Sequence, residues 1–372
     1  MGRIPQEVID EILSRCDIVE VVSSYVSLKK AGRNFKALSP FNHEKTPSFI
    51  VSPDKQIFHC FSSGLGGNAI TFIMRIEHLS FPEAIRLLAR RVGVEIPETP
   101  QQRQADNLRQ KVFEVNTLAR DYFHHNLLTD SSPEAIAARD YLNKRQIYKE
   151  SIECFQIGFA LNRWDALISH LEGKGVSLRL MEQAGLIVSK KTKDGFFDCF
   201  RHRIMFPIHD TQGHPRAFGA RTMEEANPAK YINSPETALY TKSHHLYGFS
   251  LAKKAITQDD FVIVVEGYLD CIMPYQAGLK NIVASLGTAL TIEQIRLIRR
   301  YTKNVIMLYD TDQAGEAATL RSLDTLIEEG LNVKVARLEE GEDPDSFIRQ
   351  YGAQAFAKRV NEAKTLFDYK LQ

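Results

Sequence analysis

The chain has 372 residues, of which 44% are hydrophobic and 25% charged, which is the composition of a globular protein with two or three domains. Its 47 Lys and Arg residues nearly balance 46 Asp and Glu residues, and the net charge of +1 excludes a protein held to nucleic acid by bulk positive charge. The apolar runs are too short to cross a bilayer, and the five scattered cysteines give no disulfide framework, so we predict a soluble cytoplasmic protein.

The first hundred residues are predicted to form a small β-rich unit flanked by helices. Apolar residues at helical spacing predict a helix over residues 5–24. Short apolar runs bounded by turn residues predict four strands, at residues 26–29, 34–38, 48–52 and 56–61. A helix over 68–77 follows, and Ser80 with Glu83 forms a capping box that begins another helix, which Gly93 ends.

The middle of the chain begins with a polar stretch. Residues 97–110 carry two prolines and lack apolar periodicity, which predicts a linker. Residues 111–185 are predicted to be mostly helical. Strands over 203–209 and 214–221 are joined by Asp210-Thr211-Gln212-Gly213, which indicates a hairpin.

From about residue 249 the pattern changes to apolar strands that alternate with helical stretches. The strands are predicted at residues 261–265, 281–285, 304–309 and 332–338. This alternation is typical of βαβ units, and it predicts a parallel sheet with helices on both faces. The fold class is therefore α/β, in a multidomain chain.

Acidic residues follow three of these strands, where ligands bind in open α/β sheets. They are Glu266 and Asp270, Asp310 and Asp312, and Asp343 and Asp345. Helix capping would explain Asp343 or Asp345 alone, but carboxylates crowded at one sheet edge repel each other, and a hard divalent cation would offset that repulsion. No His or Cys lies among them, which favours Mg²⁺ or Mn²⁺ over zinc, and phosphoryl or nucleotidyl transfer as the chemistry.

These segments resemble a known family. VEGYLD (265–270), LYDTDQAG (308–315) and GEDPD (341–345) resemble the Toprim domain of DnaG-type bacterial replicative primases. Toprim domains also occur in topoisomerases and nucleases. The primase is favoured because four further segments resemble its catalytic core, namely FRHRIMFPIHDTQGHPRAFGAR (200–221), KYINSPET (230–237), LYG (246–248) and SLGTAL (285–290).

The resemblance spans essentially the whole chain and implies its domain organisation. The expected domains are a zinc-ribbon-like, single-strand-binding domain (1–96), the linker (97–110), a mixed α+β core subdomain that contacts nucleic acid and NTPs (111–255), a Toprim domain with a parallel sheet (256–342) and the start of a helical region (343–372). Similar primases continue into a helical bundle and a helicase-binding domain. We therefore expect either a fragment or a naturally short primase. We also expect no stable interaction with the replicative helicase through this chain alone, and a monomer.

The same resemblance assigns the site residues. Glu266, Asp310 and Asp312 are implied to coordinate catalytic Mg²⁺, with Asp270, Asp343 and Asp345 in support. Implied contacts to template and nucleotide are Arg201, Arg203, Arg221, Lys230 and Lys242, and implied contacts to the incoming nucleotide are Tyr231 and Asn233. Charge supports a basic region feeding an acidic one, since residues 190–254 carry 11 Lys and Arg against 6 Asp and Glu, whereas 255–345 carry 8 against 16.

The zinc-binding pattern of the family is incomplete. Residues 37–70 resemble the primase zinc domain, and the four ligand positions fall on Ser39, Asn42, Cys60 and Ser63. Of these four, only Cys60 has a side chain of a type that binds zinc. His43 and His59 are nearby, but His59 and Cys60 are neighbours on a strand and point to opposite faces. We therefore expect the family's Zn²⁺ to be lost.

Without zinc, the small domain is expected to depend on an apolar core. The predicted core residues are Phe35, Phe41, Phe49, Ile57 and Phe61. Basic residues with an interleaved aromatic ring are candidates for single-strand contacts, namely Lys29, Lys30, Arg33 and Lys36 with Phe35.

Three functions are consistent with these features. The favoured one is synthesis of short RNA primers from NTPs on a single-stranded DNA template with Mg²⁺. The eroded zinc site instead favours a primase-derived protein that binds single-stranded DNA without synthesis. Metal-dependent phosphodiester cleavage is the third, because the same carboxylates serve it in other Toprim proteins.

Overall fold

The protein is described by a computed structural model over residues 4–97, 99–190, 195–224, 227, 229–287, 289–308 and 323–365. It divides into two compact units, Met1–Gln104 and Ala105–Gln372. Within the described ranges, no helix has both the length and the apolar composition of a membrane span.

The N-terminal unit begins with two helices, α1 (Gln6–Arg15) and α2 (Ile18–Ser23), where the sequence predicted one. The prediction is wrong at Cys16, whose backbone is extended with φ −83° and ψ 120°. Asp17 then begins α2, because its side chain accepts a hydrogen bond from the Val19 N–H at 2.7 Å. An aspartate that caps a new helix in this way satisfies an N–H that would otherwise lack a partner.

A five-stranded antiparallel sheet follows, in the order β1 to β5. The strands are β1 (Lys29–Ala31), β2 (Asn34–Ala37), β3 (Phe49–Ser52), β4 (Ile57–Cys60) and β5 (Gly66–Gly67). The first strand was predicted at 26–29 and lies later, because the two-residue turn at 32–33 pairs Ala31 with Asn34. Gly32 permits this turn with φ +64°.

Two helices complete the unit, and both begin and end where the sequence predicted. In α3 (Ala69–Ile76), the Asn68 side chain accepts from the Thr71 N–H; α4 (Phe81–Val92) has the Ser80–Glu83 capping box and ends at Gly93, with φ +67°.

Aromatic rings form the core of this unit. Phe58 lies with its ring centroid 5.4 Å from Phe49 and 5.5 Å from Phe72. Two residues predicted for this core, Ile57 and Phe61, are instead 40% and 67% exposed. Because side chains alternate along β4, Phe58 and Cys60 face the core, and their neighbours face away from it.

The predicted linker is helical for most of its length. The helix α5 spans Pro100–Thr129 and therefore starts within residues 97–110. Its start is a capping box that our sequence analysis missed: the Gln102 N–H donates to Thr99 Oγ1 at 3.2 Å, and the Thr99 N–H donates to Gln102 Oε1 at 2.8 Å. The polar residues that follow are mostly good helix formers, so the segment needs no apolar face to be helical.

The second unit contains an antiparallel sheet in the order β11-β10-β9-β6. Its strands are β6 (Gly158–Ala160), β9 (Arg203–His209), β10 (Pro215–Thr222) and β11 (Tyr231–Asn233). The predicted hairpin is the β9–β10 pair. The surrounding elements are α6 (Pro133–Lys144), α7 (Lys149–Phe155), α8 (Ala166–Glu172), α9 (Leu178–Gln183) and the two-stranded pair β7 (Ile187–Ser189) and β8 (Phe196–Asp198).

The predicted parallel sheet is present in the same unit, in the order β13-β12-β14-β15-β16, with only β16 antiparallel among the described strands. Its strands are β12 (Val262–Val265), β13 (Ile282–Ala284), β14 (Asn304–Met307), β15 (Asn332–Val335) and β16 (Lys364–Thr365). The helices are α10 (Phe249–Asp259), α11 (Tyr268–Gln276), α12 (Ile292–Arg299), a helical segment described over 323–328, and α13 (Pro344–Asn361). Apolar side chains are buried on both sheet faces, which confirms the predicted α/β fold.

Candidate active site and nucleic-acid interface

Glu266 follows the last residue of β12, at the carboxyl edge of the parallel sheet. Its carbonyl accepts from the Gly287 N–H at 3.0 Å, and its carboxylate oxygen Oε1 is buried. On the neighbouring strand the Leu308 N–H donates to Val264 O at 2.9 Å, so the two strands are paired up to Leu308. Asp310 and Asp312 lie outside the described residues, and their meeting with Glu266 stays a prediction.

Asp270 lies in the first turn of α11 and caps that helix. Its Oδ2 accepts a hydrogen bond from the Gly267 N–H at 3.1 Å. A Cβ atom at position 267 would lie 2.5 Å from this oxygen, so glycine allows the carboxylate to approach the backbone closely. The carboxylate next to Glu266 is thus oriented by the start of a helix.

The two remaining predicted acids lie at the start of α13 and have different roles. Asp343 is the N-cap, and its side chain accepts from the Ser346 N–H at 2.6 Å. Asp345 is 1% exposed and forms ion pairs with Arg145, at 2.5 Å, and with Arg349, at 3.1 Å. Because both its oxygens accept from guanidinium groups, Asp345 holds two cations in place.

These two arginines belong to a basic pocket, a cavity of about 560 Å³. Its lining residues are Tyr141, Lys144, Arg145, Arg221, Thr222, Met223, Glu224, Lys230 and Arg349. The sequence predicted two of the five cations, Arg221 and Lys230. The sequence analysis missed Lys144 and Arg145 at the end of α6. Basic residues are common at helix C-termini because they interact favourably with the helix dipole, so their presence there did not indicate a binding site. For Arg349, the third cation that was missed, the local signal in the sequence was its position four residues after Asp345.

Aromatic rings position the most buried cation of the basic pocket. Arg221 is 6% exposed, and its NH1 group donates to the Tyr231 hydroxyl at 2.6 Å. The guanidinium carbon lies 5.1 Å from the ring centroid of Tyr231 and 5.6 Å from that of Tyr141. Burial raises the pKa of Tyr231, so its hydroxyl stays neutral. Cation–π contact and hydrogen bonding thus fix the guanidinium plane.

Comparison with known proteins shows which proteins share this arrangement. Three family models match in succession along the chain: the CHC2 zinc finger over residues 4–104, the DNA primase catalytic core N-terminal domain over 122–253, and a Toprim-like domain over 263–348. The chain is 45% identical over 372 residues to the DNA primase of Halalkalibacterium halodurans, covering 100% of this chain and 62% of that protein.

Solved structures agree with this assignment. The Aquifex aeolicus primase, in a structure of its zinc-binding and RNA polymerase domains, is 35% identical with a TM-score of 0.65, covering 97% of this chain and 87% of that one. The chain belongs to the DnaG-type family of bacterial DNA primases. A DnaG primase catalytic domain solved with bound ssDNA is 36% identical with a TM-score of 0.65, covering 70% of this chain and 81% of that one.

The chain spans about three fifths of the length of the curated primases that it matches, between 61% and 62% for the first two. Zinc and magnesium binding are general properties of the CHC2 and Toprim families to which its domains belong. The predicted family and fold class are therefore confirmed.

Other predicted primase contacts lie beside the basic pocket rather than among its lining residues. Arg203 is 8% exposed, and its NH1 group donates to the carbonyls of Ala229, at 2.9 Å, and Lys230, at 3.4 Å. It therefore supports the backbone that carries Lys230. Arg201 donates to Asp198 O at 2.9 Å and stacks on Trp164, with 3.7 Å to the ring centroid.

The predicted nucleotide contact Asn233 is connected to the sheet edge. Its Oδ1 accepts from the Tyr268 hydroxyl at 2.5 Å, and Tyr268 begins α11, two residues after Glu266. The Tyr268 ring passes over Gly219, where a Cβ would lie 2.1 Å from the ring. Lys242 lies in a single 3-10 turn, Lys242–His244, and burial lowers its pKa; it is not a lining residue of the pocket.

The zinc-ligand positions come together only in part. Cys60 Sγ donates to Ser39 Oγ at 3.2 Å, and Ser39 Oγ also accepts from the Asn42 N–H at 3.1 Å. Ser63 Oγ accepts from the Leu65 N–H at 3.4 Å. Across the part of the chain that the structure describes, no group of three or more His, Cys, Asp or Glu side chains is arranged to hold a metal ion.

Proposed function

We propose that this chain synthesises short RNA primers from NTPs on a single-stranded DNA template, as the nucleotidyltransferase of a replication primase. The observation that carries the proposal is the Asp345 ion-pair cluster. An acid at the carboxyl edge of the Toprim sheet binds Arg145 of the core domain, so the basic pocket and the acidic edge form one connected site. Positive charge beside a carboxylate edge suits a reaction between a nucleic acid and a triphosphate.

Magnesium, or Mn²⁺ in its place, is the proposed metal, with Glu266, Asp310 and Asp312 as its ligands. The donors are all carboxylates, which are the oxygen ligands that Mg²⁺ prefers. When bound, the ions would lower the pKa of the primer 3′-hydroxyl and hold the triphosphate. Asp270 and Asp343, which cap α11 and α13, would fix the edge on which these ligands stand. Zinc, the other metal of the family, is not part of the proposal.

The basic pocket is the proposed binding site for phosphates of template and nucleotide. Lys144 and Lys230 provide flexible ammonium groups, whereas Arg221 provides a guanidinium already oriented by two rings. Phosphate contacts of this kind position a strand without selecting its sequence. Tyr231 and Asn233 would position the incoming nucleotide, because one is bound to Arg221 and the other to Tyr268.

For the N-terminal unit we propose contact with the single-stranded template through the face of its sheet that is turned away from the core. A row of paired residues crosses this face: Lys36 pairs with Ile50, and Ile50 pairs with His59. Next to this row, the Phe61 ring is 67% exposed and lies 4.5 Å from the His59 ring. Exposed rings beside lysines offer stacking and charge to unpaired bases. Phe35, predicted both for the core and for this role, packs against the core.

The decisive experiment measures primer synthesis by the full chain on a single-stranded template with labelled NTPs and Mg²⁺. Asp310→Ala should abolish the product. Asp259→Ala is the matched control, because Asp259 is an exposed carboxylate of the same domain before the first strand of the sheet. Template binding without incorporation by the wild type would favour the non-synthesising alternative, and nicking of duplex DNA would favour cleavage.

A further inference from the structure

The N-terminal unit contains a partly buried polar cluster at the position of the family's zinc ion. We call it the serine cluster and define it as Ser39, Glu44, Ser48, Cys60 and Ser62. Glu44 is its centre: Oε1 accepts from the N–H groups of Ser39, at 2.7 Å, and Ser48, at 3.0 Å. Oε2 accepts from the Ser48 hydroxyl at 2.6 Å. One carboxylate thus closes the loop between β2 and β3 at both of its ends.

Cys60 connects this loop to β4. The thiol is fully buried, and Sγ lies 3.2 Å from Ser39 Oγ, 3.4 Å from Ser62 Oγ and 3.8 Å from Ser48 Oγ. Ser39 Oγ also accepts a hydrogen bond from the N–H of Phe41 at 3.1 Å. The Ser39 hydroxyl therefore stabilises a local turn and also contacts the thiol. The serine cluster therefore joins the same two segments that a zinc ion would join through the ligand positions.

The donor set does not fit zinc. A structural zinc site needs four thiolate, imidazole or carboxylate ligands in a tetrahedron, and neutral hydroxyl groups do not replace them. Cys60 is the one such ligand among the four family positions, and the Glu44 carboxylate already accepts three hydrogen bonds. His59 is exposed on the opposite side of β4, because adjacent residues of a strand alternate between faces.

We propose that the serine cluster replaces the zinc ion of this domain, so that the N-terminal unit folds and remains folded without metal. Zinc-finger domains usually unfold when the metal is removed, since binding supplies their folding free energy. Here the closely packed rings of Phe49, Phe58 and Phe72 and the three hydrogen bonds to Glu44 supply it instead. The proposal concerns folding, and it does not depend on primer synthesis.

The first test is the zinc content and chelator response of the full chain. After incubation with zinc chloride and desalting, elemental analysis should give zinc at background level. Hydrogen exchange of the amides of β3 and β4 should be the same with and without EDTA. One zinc per chain together with faster exchange in EDTA would overturn the proposal.

The positive control restores the family ligands with Ser39→Cys, Asn42→His and Ser63→Cys in one chain. This triple variant should bind one zinc and become sensitive to EDTA, whereas the wild type should do neither. Equal zinc uptake by the two chains would contradict the proposal, because the restored ligands would then have added nothing.

A single substitution tests the centre of the serine cluster. Glu44→Gln removes the charged acceptor, and exchange of the β3 amides should become about tenfold faster or more, because hydrogen bonds to a charged group are strong. The control is Asp54→Asn, which makes the same change from carboxylate to amide at an exposed turn of this unit. Equal exchange rates in Glu44→Gln and the wild type would refute the central role of Glu44. If Glu44→Gln is unfolded while the metal-free wild type is folded, that result would support the role.

Discussion

The serine cluster of the N-terminal unit and the basic pocket of the second unit differ in how they relate to their family. In the first, three of four ligand positions have the wrong chemistry, yet the strands and helices of the domain are present. In the second, cations and aromatic rings are present, and an acid expected near the metal binds Arg145 and Arg349. A shared fold therefore predicts the scaffold, whereas the chemistry of each site has to be established from its own atoms.

The largest expected effect tests whether Asp345 belongs to the basic pocket or to the metal site. Asp345→Asn removes the buried carboxylate that accepts hydrogen bonds from two partly exposed guanidinium groups, and the free energy of unfolding of the second unit should fall by about 3 kcal/mol, because hydrogen bonds between charged groups are strong. Denaturant unfolding measures this, with Asp140→Asn on the exposed face of α6 as the control. In primer synthesis, KM for NTPs should rise while the Mg²⁺ concentration for half-maximal rate is unchanged. A shift in the Mg²⁺ concentration for half-maximal rate would indicate that Asp345 contributes to the metal site.

The next effect tests the oriented guanidinium of the basic pocket. Arg221→Ala should reduce kcat/KM for primer synthesis about 100-fold, because a charge-assisted contact to phosphate is lost. Arg221→Lys should recover only part of this loss, since an ammonium group cannot both donate to Tyr231 and lie flat against the rings. Arg179→Ala, at an exposed position of α9, is the control. Full recovery by lysine would mean that only the charge matters.

Acidic pH should destabilise the second unit and leave the stability of the N-terminal unit unchanged. Burial lowers the pKa of His209 to about 4, and its Nε2 lies 2.9 Å from Gln156 Oε1. Because the pKa in the folded state is below the unfolded value of about 6.5, the stability that neutral His209 contributes is full above that pH and is lost as the pH falls toward 4. The loss should be on the order of 2 kcal/mol.

Hydrogen exchange of the β9 amides in wild type and His209→Gln measures this loss. The difference between the two chains isolates His209 from Asp198, whose pKa burial raises to about 6. Over the same interval Glu44 stays charged, since hydrogen bonding by the Ser48 hydroxyl holds its pKa at about 2, so the β3 amides should keep their protection. Parallel loss in both strands would contradict the separation.

The smallest effect tests the thiol of the serine cluster. Cys60→Ser keeps a hydrogen-bonding group beside Ser39, and we expect the free energy of unfolding to change by less than about 1 kcal/mol. Cys60→Ala leaves the Ser39 and Ser62 hydroxyl groups without the thiol as a partner, so it should lower the free energy of unfolding by more than Cys60→Ser does. Thermal unfolding of both variants measures the difference. A collapse of the unit in Cys60→Ser would indicate a metal ligand instead.

Several elements were predictable because their signals lie within a few residues of each other. The capping box of Ser80 and Glu83, the hairpin turn at 210–213 and the apolar runs of the parallel sheet each depend on local contacts. The same kind of signal, in Thr99 and Gln102, was present at the start of α5 but was missed beside two prolines. The family resemblance added the site residues, whose roles remain predictions, and Asp310 and Asp312 lie outside the described residues.

The sequence by itself determined the α/β fold class, the primase family and the absence of zinc-ligating side chains at three of the four ligand positions. Tertiary structure alone decided that Asp345 meets Arg145, 200 residues away, and that Phe61 faces outward while Cys60 lies inside the serine cluster. The physical reason is range: helix and strand patterns arise from neighbours in the chain, whereas a buried ion pair depends on the packing of elements that the chain brings together only on folding.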